Sequence, residues 1–322
     1  MSASTSPDIA SSPILEGFRH EALLYAGEAD FVSRTASFIR DGVESGEPVL
    51  VVVGPEKIAK LRDELGRQSI AVRFANMLDI GSNPARIIPA WRAFVDGHGA
   101  GGRPLRGIGE PIWAARGPDE LIECERHEAL LNLAFADARP FWLLCPYDTE
   151  ALPPSVVQEA RRNHPLVWDE GVHRRTTEFR TLREIAGPFD APLPEPPVEA
   201  VEIRFELSDL AGVRDSVVRQ AARSGLDPSR AEDLVLAVNE IVTNSVRHGG
   251  GGGVLRMWET GDSLISEIRD VGHIDRPLIG REQPTLDQNS GFGLWIANHV
   301  CDLVQVRTFP EGSVVRMHVR RS

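Results

Sequence analysis

Through its first half the chain alternates short apolar runs with amphipathic stretches of helical period. EALLYAG (21–27) leads to a helical stretch from Glu28 to Glu44, and PVLVVVG (48–54) leads to PEKIAKLRDELG. IAVRFA (70–75) precedes NPARIIPAWRAFVDG, LRGIGEP (105–111) precedes PDELIECERHEALLNLAFAD, and PFWLLCPYD (140–148) precedes PPSVVQEARRNH. Five strand–helix units whose strands are apolar almost throughout predict a doubly wound parallel sheet with helices on both faces. The pattern stops at AGPFDAPLPEPPVEA (186–200), where five prolines interrupt any period. This segment reads as a semi-rigid linker, with a domain at 18–185 before it and another at 201–322 after it.

Beyond the linker the period changes. VEIRFEL (201–207), VLRMW (254–258), LISEIRD (264–270), LVQVRTF (303–309) and SVVRMHV (313–319) alternate like half-buried antiparallel strands. Ser208 or Asp209 can cap a helix that Gly225 ends, and Asp227-Pro228 suits the first positions of a helix running to His248. A third helix follows in GFGLWIANHVCD. Clustered antiparallel strands with helices on one face predict an α+β sandwich.

Composition narrows the function. The 322 residues are 42% hydrophobic and 25% charged, enough to bury a core in each domain. The longest apolar run, PVLVVVG, has strand length, so no membrane span is expected. MSASTSPDIASSP lacks the regions of a signal peptide, and residues 1–17 read as a disordered tail. Three cysteines (Cys124, Cys145, Cys301) suit a reducing cytoplasm without a disulfide framework. A net charge of −12 argues against nucleic acid. Only two lysines occur, Lys57 and Lys60, and neither follows P-loop or kinase spacing. Any nucleotide must therefore be held without a phosphate-binding lysine.

The chemistry concentrates in 240–294. Leu234, Val238, Ile241, Val242 and Ser245 form the core stripe of the 228–248 helix, and Glu240, Asn244 and His248 lie four apart on the neighbouring stripe. Asn is a poor helix-interior residue, so its side chain needs employment, although an exposed polar face is the plainer reading of Glu and Asn alone. Asp270 ends an apolar row and opens D-x-G with Gly272. Gly291 and Gly293 precede an apolar helix, whose free amides and dipole attract anions without lysine. The run Gly249–Gly253 reads as a flexible helix-to-strand turn, and His248 as a residue at the helix end favoured by the dipole.

The ordered set E-x-x-x-N, D-x-G and G-x-G-L resembles the Bergerat, or GHKL, ATP-binding α/β sandwich, in the short form of RsbW-type anti-sigma factor serine kinases. NEIVTNSVRHG is similar to its N box, RDVG to its first glycine box and GFGLWIANHVCD to its second, while Gly312-Ser313 sits where the superfamily often has Gly-Thr. The resemblance implies ATP and Mg²⁺ as cofactors. It implies that Asn244 coordinates Mg²⁺ bridging the phosphates and that Glu240 orients or deprotonates the attacking hydroxyl. It further implies that Asp270 accepts from the adenine amine, that Gly272 allows close approach, and that Gly291, Gly293 and Leu294 supply amides to the phosphates. HIDRPLIGREQPTLDQNS (273–290) would then be the ATP lid.

In the first domain, FRHEALLYAGEADFVSRTASFIRDGVESGEPVLVVV and FWLLCPYD resemble the MEDS sensory domain, a RecA- or KaiC-like module without a working P-loop. The two resemblances together imply an RsbA-family anti-sigma regulator. Its partners would be a sigma factor and an anti-anti-sigma (STAS-type) protein that it phosphorylates on Ser or Thr, with a homodimer formed through the ATPase half. Cys145 and Tyr147 lie at the carboxyl end of a strand, where such sheets bind ligands, although Cys145 also reads as a buried small hydrophobe. His20 reads as a packing or capping residue, with facing a sensed ligand as the lesser reading. Cys124 and His127 form C-x-x-H with no second pair to complete a metal site. Two rivals stay open: a non-catalytic, ATP-dependent binding module, and a sensor histidine kinase using a His-Glu pair in RHEALL (19–24) or ERHEALLN (125–132).

Overall fold

The computed structural model describes residues 17–98, 102–180, 191–284 and 291–321. The expected tail up to Leu15-Glu16, the first part of the expected linker and residues 285–290 of the expected lid lie outside the described residues. The chain divides into two compact units, with Ser82–Pro89 grouping with the second.

The first unit is built on a seven-stranded sheet ordered β3-β2-β4-β5-β1-β6-β7. Its strands are β1 (Phe18–Tyr25), β2 (Val49–Val53), β3 (Val72–Asn76), β4 (Leu105–Gly109), β5 (Phe141–Asp148), β6 (Leu166–Asp169) and β7 (Val172–Arg175). All neighbours pair in parallel except β6 and β7. Strand polarity decides which helices cover which face. Leu23 and Tyr25 of β1 pack with Phe31 and Ile39 of α1 (Gly27–Glu44) and with Leu61 of α2 (Pro55–Leu65). His20, of the opposite parity along β1, instead meets α5 (Pro118–Ala134) and the end of α6 (Pro154–Asn163), through Glu128 and His164. Between these pairs come the single-turn α3 (Met77–Ile80) and α4 (Ile87–His98). The sheet is therefore doubly wound, as the near-continuous apolar strands require.

Two details depart from expectation. The stretch 83–97 does not begin as one helix, because the Asn83 side chain accepts from Ala85 N and caps a separate 3-10 turn, Pro84–Arg86. The β6–β7 hairpin is additional. Glu170 and Gly171 both have positive φ, 47° and 78°, the twist that closes a two-residue hairpin.

The second unit is a five-stranded antiparallel sheet ordered β11-β12-β10-β9-β8. Its strands are β8 (Val201–Glu206), β9 (Gly252–Thr260), β10 (Ser263–Asp270), β11 (Leu303–Phe309) and β12 (Gly312–Arg320). Among the described residues three helices pack against it: α7 (Leu210–Ser224), α8 (Pro228–His248) and α9 (Phe292–Val300). Val213 and Val217 of α7, the Leu234/Val238/Ile241/Val242 stripe of α8, and Leu264 and Ile268 of β10 share one core. Helix starts use position rather than side-chain caps. Pro228 occupies the first turn of α8, while neither Asp209 nor Asp227 makes a side-chain cap bond. The Asp209 carboxylate accepts from Glu206 N instead.

Candidate functional site

Helix α8 buries its apolar stripe and leaves Glu240 and Asn244 half-buried, with His248 exposed at its last position. Among the described residues neither the Glu240 carboxylate nor the Asn244 amide has a hydrogen-bonding protein partner. Helix α9 begins against this stripe. Gly291 takes φ 105°, a left-handed turn open to glycine, and starts α9 one residue later. Gly293 then lies directly on the Asn244 side chain: a Cβ there would overlap Asn244 Nδ2 and come within 3.3 Å of the Glu240 Cβ. Glycine at 293 lets the amino end of α9 sit this close to the polar stripe of α8 without moving the Asn244 amide.

Asp270 closes the opposite side. Its Oδ1 accepts from Gly272 N at 2.9 Å and from Ser313 Oγ at 3.0 Å, and its Oδ2 accepts from Ser245 Oγ at 2.5 Å. Three donors from α8, the β10 loop and β12 thus hold one half-buried carboxylate. Gly272 packs on the end of α8, where a Cβ would stand 2.8 Å from both Gly249 Cα and His248 O. The glycine run is accordingly tight rather than flexible. A Cβ on Gly249 would stand 2.5 Å from Asp270 Cγ, one on Gly253 would stand 2.6 Å from Arg269 O, and Gly252 lies against Phe205 O.

Between these walls lies a pocket of about 280 Å³ lined by Asn244, His248, Asp270, Gly272, Gly291 and Leu294, with Ile241, Ile274, Ile279 and Val315 as apolar surface. Seven residues were expected at a site here, and five of them line the pocket. Glu240 and Gly293 do not line it and stand together beside Asn244. His248 is both the helix-end residue expected and part of the pocket wall. The sequence reading missed Ser245 and Ser313, which orient Asp270, and the exposed Arg276, which brings a cation to the rim. Ser245 carried a signal as a hydroxyl in an otherwise apolar stripe, and Ser313 carried one in the Gly312-Ser313 pair.

Two family models match the chain. Residues 19–165 match MEDS, the MEthanogen/methylotroph, DcmR Sensory domain, and residues 203–319 match the histidine kinase-like ATPase domain. The chain is a MEDS domain followed by a histidine kinase-like ATPase domain. The pocket lies wholly within the ATPase domain, which has the GHKL-like α/β sandwich fold.

Two solved structures are similar to part of the chain, at low TM-scores. The RsbU and RsbW domains of Rv1364c from Mycobacterium tuberculosis are 21% identical, with 38% of this chain and 33% of that chain covered at a TM-score of 0.30. The Acinetobacter baumannii histidine kinase AdeS is 12% identical, with 39% of this chain and 70% of that chain covered at a TM-score of 0.23. This chain thus spans about a third of the length of the Mycobacterium tuberculosis structure. No curated protein matches the chain.

In the MEDS domain, Lys57 is engaged. Its Nζ donates to Tyr25 Oη at 2.7 Å and to Glu110 Oε1 at 2.5 Å, at the carboxyl ends of β1 and β4. Cys124 donates to Pro111 O at 3.4 Å, and burial pushes its thiol up to about 12. Cys145 and Tyr147 are buried, and burial raises both groups well above their ordinary values. His20 and His127 are each 1% exposed, so neither His-Glu pair presents an accessible phosphoacceptor. Among the described residues no helix is long and apolar enough to cross a membrane.

Proposed function

We propose that the ATPase domain binds Mg-ATP and a sigma factor, and that it phosphorylates an anti-anti-sigma (STAS-type) protein on Ser or Thr under control of the MEDS domain. The observation carrying this reading is the contact of Gly293 with Asn244, which sets the amino end of α9 beside two oxygen-bearing side chains that have no hydrogen-bonding partner among the described residues.

The residues present fit the nucleotide and its ion. Asn244 offers the hard oxygen donor that Mg²⁺ prefers while keeping its waters. The first amides of α9, after Gly291, offer an anion site without lysine. The isoleucines at 241, 274 and 279 suit an aromatic base, and Asp270 suits its exocyclic amine. Mg-ATP, when bound, supplies the phosphoryl group; this chain's residues hold and orient it. In this reading Glu240, one helical turn from Asn244, positions or deprotonates the acceptor hydroxyl. The half-buried positions of Glu240 and Asn244 limit competing water.

The test is incubation of the full chain with γ-labelled ATP and STAS-domain proteins from its own source. Label on Ser or Thr of one of them, lost in Glu240→Ala, is the expected result. Mg-ATP binding with no labelled protein would instead establish the non-catalytic binding module. Failure to bind Mg-ATP would refute the nucleotide assignment itself.

A further inference from the structure

The MEDS domain holds a second polar cluster, which the proposed phosphotransfer does not use. His20 of β1, Glu128 of α5, Cys145 of β5 and His164, directly after α6, each bring one ligand atom to within 4.8 Å of the others. All four are buried to 1% exposure or less. They are far apart in sequence, and the fold gathers them: β1 and β5 are parallel neighbours with Ala22 opposite Cys145, so His20 and Cys145 share a face, under α5 and α6.

The protons on the two rings can be placed from their neighbours. Asn132 gives its Nδ2 to Asn163 O at 2.7 Å and to Ala129 O at 3.4 Å, which turns its Oδ1 toward His20 Nδ1 at 3.1 Å. An amide oxygen only accepts, so His20 donates from Nδ1. His164 Nδ1 lies 2.7 Å from Ala160 O, another pure acceptor, so it donates there. In the neutral form, each ring would then point a bare Nε2 lone pair at the same atom, Glu128 Oε2, at 3.1 and 3.2 Å. Cys145 Sγ approaches His20 Nε2 at 3.4 Å. Lone pairs facing a buried carboxylate call for a cation between them.

We propose that His20 Nε2, His164 Nε2, the Glu128 carboxylate and the Cys145 thiolate together bind one divalent transition-metal ion of the Zn²⁺ class. Tetrahedral zinc at ordinary bond lengths separates its nitrogen, oxygen and sulfur ligands by about 3.3–3.6 Å. The separations of 3.1, 3.2 and 3.4 Å reach that spacing by a small expansion, and the wider ones, up to 4.8 Å, by contraction around the ion. Asn132 and Ala160 are the outer acceptors that fix the tautomer of metal-binding histidines. The mixed nitrogen, oxygen and sulfur set excludes Mg²⁺ and Ca²⁺. On binding, the Cys145 thiol releases its proton to solvent and the sulfur bonds to the metal. A nucleophilic Cys–His–Glu relay does not fit, because it needs the carboxylate on the ring nitrogen remote from the thiol. Here carboxylate and thiol crowd the same nitrogen. With four protein ligands and no exposed face, the site is closed and structural rather than catalytic.

The experiment uses the untagged full chain. Metal content is measured after gel filtration, and the chelated protein, still folded by circular dichroism, is titrated with Co²⁺. One zinc per chain, and a Co²⁺ complex with tetrahedral d–d absorption plus a thiolate-to-cobalt charge-transfer band, are expected. Cys145→Ser should lose the charge-transfer band while keeping weakened Co²⁺ binding. Cys124→Ser, at the neighbouring buried thiol, should change nothing. Folded parent protein that takes up no Co²⁺, or takes it up without the charge-transfer band, would overturn the proposal and leave a buried imidazole–carboxylate pair. Loss of that band in Cys124→Ser but not in Cys145→Ser would overturn the ligand assignment.

Discussion

The two polar clusters of this chain are built on opposite principles. Around Glu128, both imidazoles are locked from behind by Asn132 and Ala160, and all four side chains are sealed from solvent. Around Asn244, the walls are equally well fixed, with Asp270 held by three donors, yet Asn244 and Glu240 have no hydrogen-bonding partner among the described residues and the rim carries exposed His248 and Arg276. A sealed cluster suits a guest that arrives once and stays. An open one with unsatisfied oxygens suits a guest that exchanges. The difference lies in where the unsatisfied donor and acceptor atoms point, since both clusters use ordinary helices and strands.

The strongest test of that contrast is Glu240→Ala, which should cut phosphoryl transfer by about two to four orders of magnitude while Mg-ATP affinity stays near the parent value. Calorimetric titration beside a transfer assay checks it, and an equal loss of affinity would move Glu240 into the binding set. Asn244→Ala should weaken Mg-nucleotide binding by roughly 10–100-fold, the cost of removing a partner from a charged group, and leave the metal content of the MEDS domain unchanged. Gly272→Ala should destabilise the ATPase domain by about 1–3 kcal/mol in denaturant unfolding, because the added methyl would press on the backbone of Gly249 and His248 as well as on Asp270 Oδ1. Arg276→Ala, at the exposed rim, should cost at most about fivefold in nucleotide affinity, an effect that fades as salt is raised.

The smallest effect concerns pH. Burial, reinforced by Glu159, raises the Glu125 carboxyl to about 7. The folded state then holds this proton more tightly than the unfolded chain. Its stabilising contribution is complete below about pH 4.5 and is lost as pH rises through about 7. Allowing for solvent at a half-buried position, MEDS-domain stability should fall by roughly 1 kcal/mol between pH 5 and 8, and Glu125→Gln should flatten that slope. A parent protein equally stable at both values would contradict this.

Much of this architecture was legible in the residues because period is a local property. The alternation of 264–270 and 313–319 marked β10 and β12, and the unbroken apolar runs marked the parallel strands. The β6–β7 hairpin escaped because four-residue strands carry too few positions to show a period. At the pocket, Asn244 and Gly293 stood out by type and spacing, whereas Ser245 owes its role to Asp270, 25 residues away, and could only be placed in the core stripe. Distance in sequence hid Glu128 and His164 from His20 and Cys145, because only the strand order β5-β1-β6 and the helices above it bring them together. The five glycines misled in the other direction. Their composition suggested looseness, but three of them are pressed against Asp270, Phe205 and Arg269.

The tethering of Asp270 has a chemical corollary. A carboxylate has about four lone-pair positions, and here two hydroxyls and an amide take three of them. One acceptor remains, and no donor accompanies it. In the proposed reading, a purine carrying an amine at that edge completes the count, while one carrying an oxo group meets lone pair with lone pair and is turned away. GTP should therefore compete poorly with ATP, a selectivity exercised through a single vacancy on a single oxygen.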